Sequence, residues 1–374
     1  MSTDAHGCAL SIVSGASVRL VPVYVPLRDM PVEKTRRTVD GLTRLRAALA
    51  TQVPAKTLDR TMLLATWNIR ELDSTKYGLR DDEAYLYLAE VVSHFDLVAL
   101  QEVREDLAGL TRLTRTLGPS WSSIVTDVTE GRAGNGERMA FVYDTRTVQF
   151  GGLAGELVLP PLSDGTMPMQ IARTPFMAGF VAGWARFQLA TVHVIYGSDR
   201  AEDERRVAEI GEIASFLRKR TADRYAWSHD LVLLGDFNIY APDDATMAAL
   251  TDEGWMVPEE LQSIPGTNVP KDKTYDQIAL RSEPERRRRF ETTGRAGVFD
   301  PFESVYRDED EDVYVPAMGE GYRVSRAGNE RDERQRHRYY REWRSHQISD
   351  HLPMWLEVRT DYSDEYLAAR RRRR

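Results

Sequence analysis

The chain has 374 residues, 42% of them apolar, enough for one large globular domain or two ordinary ones. Its 50 lysines and arginines against 58 aspartates and glutamates leave a formal charge of −8, which argues against tight, sequence-blind coating of nucleic acid yet allows a local basic patch. The single cysteine, Cys8, excludes an internal disulfide framework and points to a reducing cytoplasm; the acid before the apolar stretch of "MSTDAHGCALSIV" makes a poor signal peptide, and no apolar run reaches the ~18 residues of a membrane span.

Residues 1–60 read as an extension with one helix, 33–50, whose Val39, Leu42, Leu45 and Leu49 share a stripe that ends before Pro54. A strand over 61–69 follows. Next come a helix over 83–95, with Tyr85, Leu88, Ala89, Val92 and Phe95 at helical spacing, and a buried strand over 96–103. The helix over 106–118 stops at Gly118. The middle is strand-rich, at 137–144 and 181–195. Residues 201–220 form a strong helix, with acids in the first turn, bases in the last, and Val207, Ile210, Ala214 and Leu217 facing inward.

The strand 231–239 opens with Leu231–Leu234 and shows no alternation, which suits burial on both faces. A short helix over 242–254 and strands over 274–280 and 352–358 complete the pattern. Mixed strands and helices of this kind make an α/β or α+β layered domain of roughly 300 residues, here 61–359, with no internal repeat. The charged stretches 284–290, 307–312 and 331–344 read as solvated loops or helix faces, and 360–374 as a basic tail.

Five segments deliver polar residues at a strand end: Asn68 in "LLATWNIR", Glu102 in "LVALQEVR", His193 in "ATVHVI", Asp236 with Asn238 in "LLGDFNIY", and Asp350 with His351 ahead of the strand in "ISDHLPMW". A lone histidine or acid at such a place is more often a satisfied core residue or a cap. Together they are costly to bury unpaired. The set suits a hard, oxygen-loving cation such as Mg²⁺ and groups that activate water and protonate a leaving oxygen. It lacks the cysteines of structural zinc, a Walker-type loop and a serine nucleophile elbow. Water attack on phosphorus, without a covalent enzyme intermediate, is the chemistry implied.

In this order, "WN", "QE", "GDFN" and "SDH" resemble the endonuclease/exonuclease/phosphatase superfamily, pancreatic-type deoxyribonuclease included, over roughly 61–359. The resemblance implies a four-layered α/β sandwich, two central mixed sheets flanked by helices. It implies metal-binding oxygens from Glu102, Asn68 and Asp350, for Mg²⁺ with Mn²⁺ as a substitute. It implies histidine–carboxylate pairs Glu137–His193 and Asp276–His351, the latter from "YDQI". Asp236 orients or deprotonates the attacking water, and Asn238 donates to the pentacovalent phosphate.

Arg173 in "ARTPF" matches a phosphate clamp, Thr267 a phosphate contact, and Arg104 in "QEVR" an arginine that enters the minor groove. Asn135 stands where deoxyribonuclease has a groove-stacking tyrosine, and the family's disulfides are absent. The expected activity is a Mg²⁺-dependent phosphodiesterase, a nuclease on DNA and then RNA, with no membrane and no obligate protein partner. The alternatives are a phosphomonoesterase or lipid/inositol-phosphate phosphatase on the same fold, and an inactive binding scaffold, whose decayed motifs this sequence does not show.

Overall fold

The structure is a computed structural model, and it describes residues 22–73, 76, 78–129, 136–160, 171–281 and 290–372. Two sheets form its centre. One has six strands in the order β10 (Glu291–Val298), β11 (Met354–Arg359), β1 (Thr61–Leu72), β2 (Leu97–Arg104), β4 (Glu137–Asp144) and β3 (Trp121–Val125). The other has five, β5 (Gln149–Glu156), β6 (Phe176–Ala182), β7 (Ala185–His193), β8 (Leu231–Asp236) and β9 (Asp276–Arg281). The pairs β1–β2 and β7–β8 are parallel and the remaining pairs antiparallel. The helices are α1 (Val32–Gln52), α2 (Asp82–Ser93), α3 (Ala108–Leu117), α4 (Glu204–Ala222), α5 (Ala245–Thr251), α6 (Glu259–Gln262), α7 (Glu311–Met318), α8 (Glu333–Gln347) and α9 (Ser363–Arg371).

The period-2 geometry of a strand explains the layers. Met62 and Leu64 of β1, Ala99 of β2 and Phe141 of β4 face the second sheet, where Phe180, Leu189 and Val232 meet them in one apolar core. Their neighbours Leu63, Ala65, Trp67, Val98 and Leu100 point the other way, into a second core beneath α2 and α3. On the far side, Ile210, Ile213, Ala214 and Leu217 of α4 cover the five-stranded sheet. The result is the four-layered α/β sandwich expected from the motifs.

Several details depart from the sequence reading. The single strand expected over 181–195 is the second half of a hairpin, β6–β7, that turns at Gly183 with φ +54°. Strands β3, β5 and β10 were not foreseen; β5 and β10 are largely exposed edge strands with glycines, and show neither apolar alternation nor a buried run. Helix α5 is shorter than the 242–254 expected, since Pro242–Asp244 lead into it. Val39 is exposed, and Thr38 takes its place on the buried face of α1 beside Leu42, Leu45 and Leu49. That face packs on α2, which is buried from Glu83 to Ser93. The α2 acids Glu83 and Glu90 are satisfied by Arg37 and Arg46 of α1, at 2.5 and 3.0 Å.

The stretch 331–344 is more than a solvated face. Tyr340 and Trp343 of α8 are buried against Tyr306 and Tyr314. Residues 307–312 likewise open α7, and within 360–374 the helix α9 forms, with Tyr366 against Trp184. Cys8, Asn135 and nearly all of the stretch 284–290 lie outside the described residues.

Candidate active site

Parallel strands end together, and an antiparallel neighbour begins where they end. The carboxyl ends of β1, β2, β7 and β8 therefore share one edge with the amino ends of β4, β9 and β11. Register makes this concrete: Arg104 lies opposite Glu137, His193 opposite Asp236, and Asp236 opposite Asp276. Gly235, φ +138°, is required here, because a side chain would collide with the Val192 carbonyl of the adjacent strand. The next turn holds Asn238 at φ +53°, and Glu102 sits at φ +60°, two positive-φ residues among those the motifs singled out.

Asp236 is the centre. Its Oδ2 lies 3.5 Å from His193 Nε2 and 3.7 Å from His351 Nε2, and it accepts a 3.0 Å hydrogen bond from Asn68 Nδ2. Its Oδ1 accepts from the Asn238 backbone N–H at 2.9 Å. Behind each histidine stands a second carboxylate: Glu137 Oε2 is 2.9 Å from His193 Nδ1, and Asp276 Oδ2 is 2.8 Å from His351 Nδ1. Both imidazoles thus turn Nδ1 to a carboxylate and present Nε2 to the same oxygen. Asn68 also donates to Glu102 Oε1 at 2.8 Å, so one amide bridges Glu102 and Asp236.

Burial and charge compete at these groups. Burial disfavours the His351 cation, but Asp276 and Asp236 outweigh it and hold the imidazole well above its ordinary value. For His193 burial and Arg173 oppose the cation, yet Glu137 and Asp236 prevail and the pKa is raised. Burial raises the Glu102 carboxyl, with Glu137 and Asp350 adding to it and His193 and Asn68 opposing. Asp276 is raised by burial and by Asp236, against the pull of His351 and Thr267.

Five expected residues remain. Arg173 donates from Nε to Glu137 Oε2 at 2.8 Å, so it lies beside the His193 pair. Arg104 is half-buried at the end of β2. Asn238 donates from Nδ2 to the Val194 carbonyl at 2.9 Å. Thr267 is different: it is fully buried, and its hydroxyl accepts from the Asp276 backbone N–H at 3.0 Å, so it positions Asp276 from behind and is no surface contact for a phosphate. Asp350 is 47% exposed and ion-paired with Arg70 Nε at 3.3 Å.

Other residues of the site were missed. Arg70 donates its backbone N–H to Asn68 Oδ1 at 3.0 Å, while its guanidinium meets Ser345, Glu342 and Asp350. The Glu71 N–H donates to Glu102 Oε2 at 2.8 Å. Ser349 donates to the Asn68 carbonyl at 2.6 Å and accepts from His351 N at 3.0 Å, fastening the His351 loop to β1. Arg70 and Glu71 follow "WN" after Ile69, and their positive φ values are a conformational signal that sequence alone does not display.

The donor set fits a hard divalent cation. Glu102 and Asp236 bring carboxylate oxygens to either side of the Asn68 amide, and Glu102, Glu137 and His193 form one cluster of closely spaced ligand atoms, with Asp236, Asp276 and His351 a second. Glu102 is a half-buried acid crowded by like charges, the setting that a cation relieves.

The sequence matches the Endonuclease/Exonuclease/phosphatase family over residues 65–351. No curated protein sequence matches it significantly. Solved structures do resemble it. The human Nocturnin catalytic domain with bound sulfate anion is 14% identical, with 80% of this chain and 93% of that one covered at a TM-score of 0.50. A D. rerio TDP2 complexed with single strand DNA product is 13% identical, covering 80% and 98%, TM-score 0.48. A Bacteroides thetaiotaomicron mannosyl-6-phosphatase is 16% identical, covering 79% and 99%, TM-score 0.48. At such identities the likeness is one of fold.

Proposed function

Because the chain belongs to the endonuclease/exonuclease/phosphatase family, whose members are phosphoester hydrolases, we propose that it is a Mg²⁺-dependent phosphodiesterase acting on nucleic acid, DNA first and RNA second, in the cytoplasm. The observation that carries this reading is the pair of carboxylate-backed histidines converging on Asp236, with Nε2 atoms 3.5 and 3.7 Å from one oxygen. Two imidazoles facing one carboxylate oxygen supply a base for an attacking water and an acid for the departing oxygen. Their partners Glu137 and Asp276 fix the tautomer and raise the basicity of each ring.

Glu102 and Asn68, with Asp350 as the outermost oxygen, would hold the metal, which when bound neutralises charge on the phosphate. Asn68 would have to turn its amide, since its oxygen now accepts from Arg70 N. The nearer role of Asp350 is to keep Arg70 in place. Asp236 orients the attacking water through its carboxylate, and one of the two imidazoles takes up the proton. Asn238 spends one Nδ2 hydrogen on Val194 and has a second for a phosphate oxygen. Arg173 spends Nε on Glu137 and would offer its remaining guanidinium N–H groups to the phosphate. Arg104 would touch a duplex beyond the scissile bond.

The test is a panel: plasmid, single-stranded DNA, RNA, a phosphoinositide and a sugar phosphate, each with Mg²⁺, Mn²⁺ or excess EDTA. Cleavage of nucleic acid with either metal and none with EDTA is expected. Hydrolysis of the phosphoinositide or sugar phosphate alone would instead place the chain with the phosphatases, and full activity in EDTA would remove the metal.

A further inference from the structure

The basic stretch that reads from sequence as a solvated face forms one wall of a cleft beside the active site. Arg334, Arg338 and Arg341 are exposed and lie at i, i+4 and i+7 along α8, one stripe of the helix. With His337, Arg344 and Ser345 they line a cleft of about 690 Å³, whose other wall is Val269, Pro270 and Phe302. Of the cleft's acids, Asp308 pairs with Arg341 and Arg344 at 2.9 Å each, and Glu342 with Arg70. His337 is paired with Glu311. The cleft lining is positive in excess, on a chain whose total is −8.

Both walls lead to the chemistry. Ser345, at the inner end of the stripe, bonds Arg70, which holds Asn68 and Asp350. On the other side, Val269 donates its N–H to the Asp350 carbonyl at 3.0 Å, one residue from His351. From Arg334 to Arg341 the helix rises about 10 Å at 1.5 Å per residue. That is a line of charge as long as several phosphates along a strand, where a single phosphorylated headgroup needs only a point. A concave cleft with recessed apolar residues also suits a chain better than a membrane surface.

From this we infer that the α8 stripe is a phosphate-tracking arm that holds the nucleic-acid strand several nucleotides away from the scissile bond. The inference rests on the nuclease reading and deepens it, adding where the substrate lies. The experiment is fluorescence anisotropy of a labelled 20-nucleotide single strand with the full chain in EDTA, so that binding is read without cleavage. It compares the unaltered chain, Arg334→Ala/Arg338→Ala, and an Arg326→Ala control, each over a salt series, with circular dichroism to confirm folding.

The double variant is expected to bind about tenfold more weakly, with a salt slope shallower by about 1.4, two contacts at ~0.7 each. Arg326→Ala should match the unaltered chain. The cleavage KM for the 20-mer should rise in the double variant, while kcat for bis-p-nitrophenyl phosphate stays unchanged. Equal affinity and slope in a folded double variant would overturn the arm, even if nucleic acid is cut. Preferential binding of phosphoinositide vesicles that depends on the same arginines would overturn it in favour of a lipid surface. Absence of cleavage from any nucleic acid would count against the nuclease reading, and the anisotropy result would still decide the arm.

Discussion

Strands β2 and β4 carry acidic clusters at both ends, and the two ends balance their charge differently. Where β2 begins and β4 ends, Asp96 and Asp144 are fully buried. Lys56 Nζ lies 3.2 Å from the first and 2.8 Å from the second, and Arg146 makes a two-pronged pair with Asp144 at 2.7 and 2.6 Å. At the opposite end Glu102 and Glu137 meet His193, and across the sheet interface Asp276 and Asp236 meet His351. Lysine and arginine stay charged at any physiological pH, so their end is locked. Imidazoles exchange protons in that range, so the other end can do chemistry. The same fold supplies an anchor and a reactive edge from similar carboxylates.

The largest expected effect breaks the reactive edge. His193→Ala and His351→Ala should each lower turnover about 10²- to 10⁴-fold, the usual scale for acid–base groups. Steady-state kinetics per folded molecule would check this, with circular dichroism as the control. Variants that unfold readily yet keep their activity per folded molecule would make these ordinary core histidines.

Lys56→Met breaks the anchor instead. Two buried carboxylates lose a cation, and removing one partner of a buried pair costs about 3–5 kcal/mol. Urea denaturation should show that loss while turnover of the folded protein holds.

The pH dependence sharpens the contrast. Burial pushes Asp144 up, but Arg146 and Lys56 outweigh it and hold the carboxyl below its ordinary value. Its contribution is therefore complete above the unfolded value of about 3.9 and lost as pH falls through the lower folded one. His351 runs the opposite way: its raised pKa contributes stability that is complete below the unfolded value of about 6.5 and lost as pH rises through the folded one. In EDTA, the stability gap between the unaltered chain and Lys56→Met should narrow below pH 4, and that for His351→Gln should narrow above neutrality.

Much of the reactive edge was legible because its chemistry sits in short ordered segments. Glu102, His193, Asp236 and His351 are named by the strands that end or begin at them, and the structure brings all four together. What escaped was geometry. Thr267 looks like a polar residue near a phosphate, but the fold turns its hydroxyl to the backbone of Asp276. Arg70 and Ser349 act through bonds to Asn68 that no periodicity reveals. In α8, dense charge hid the buried Tyr340 and Trp343 and the cleft its arginines line. The glycine-bearing β5 and β10 had no pattern to read. Lys56, the heart of the anchor, lies in a stretch that the sequence offered only as the end of an extension.

The most direct test of the comparison places Asp236→Asn beside Lys56→Met in one assay. Hydrolysis of bis-p-nitrophenyl phosphate is followed in saturating Mg²⁺, with melting temperature recorded for each protein. Asp236→Asn should lose at least about 10²-fold in kcat with its melting temperature unchanged or higher, since one charge leaves a crowded acid edge. Lys56→Met should melt earlier and turn over at the unaltered rate while folded. An active Asp236→Asn, or a Lys56→Met that stays stable but loses turnover, would contradict the division between the two ends.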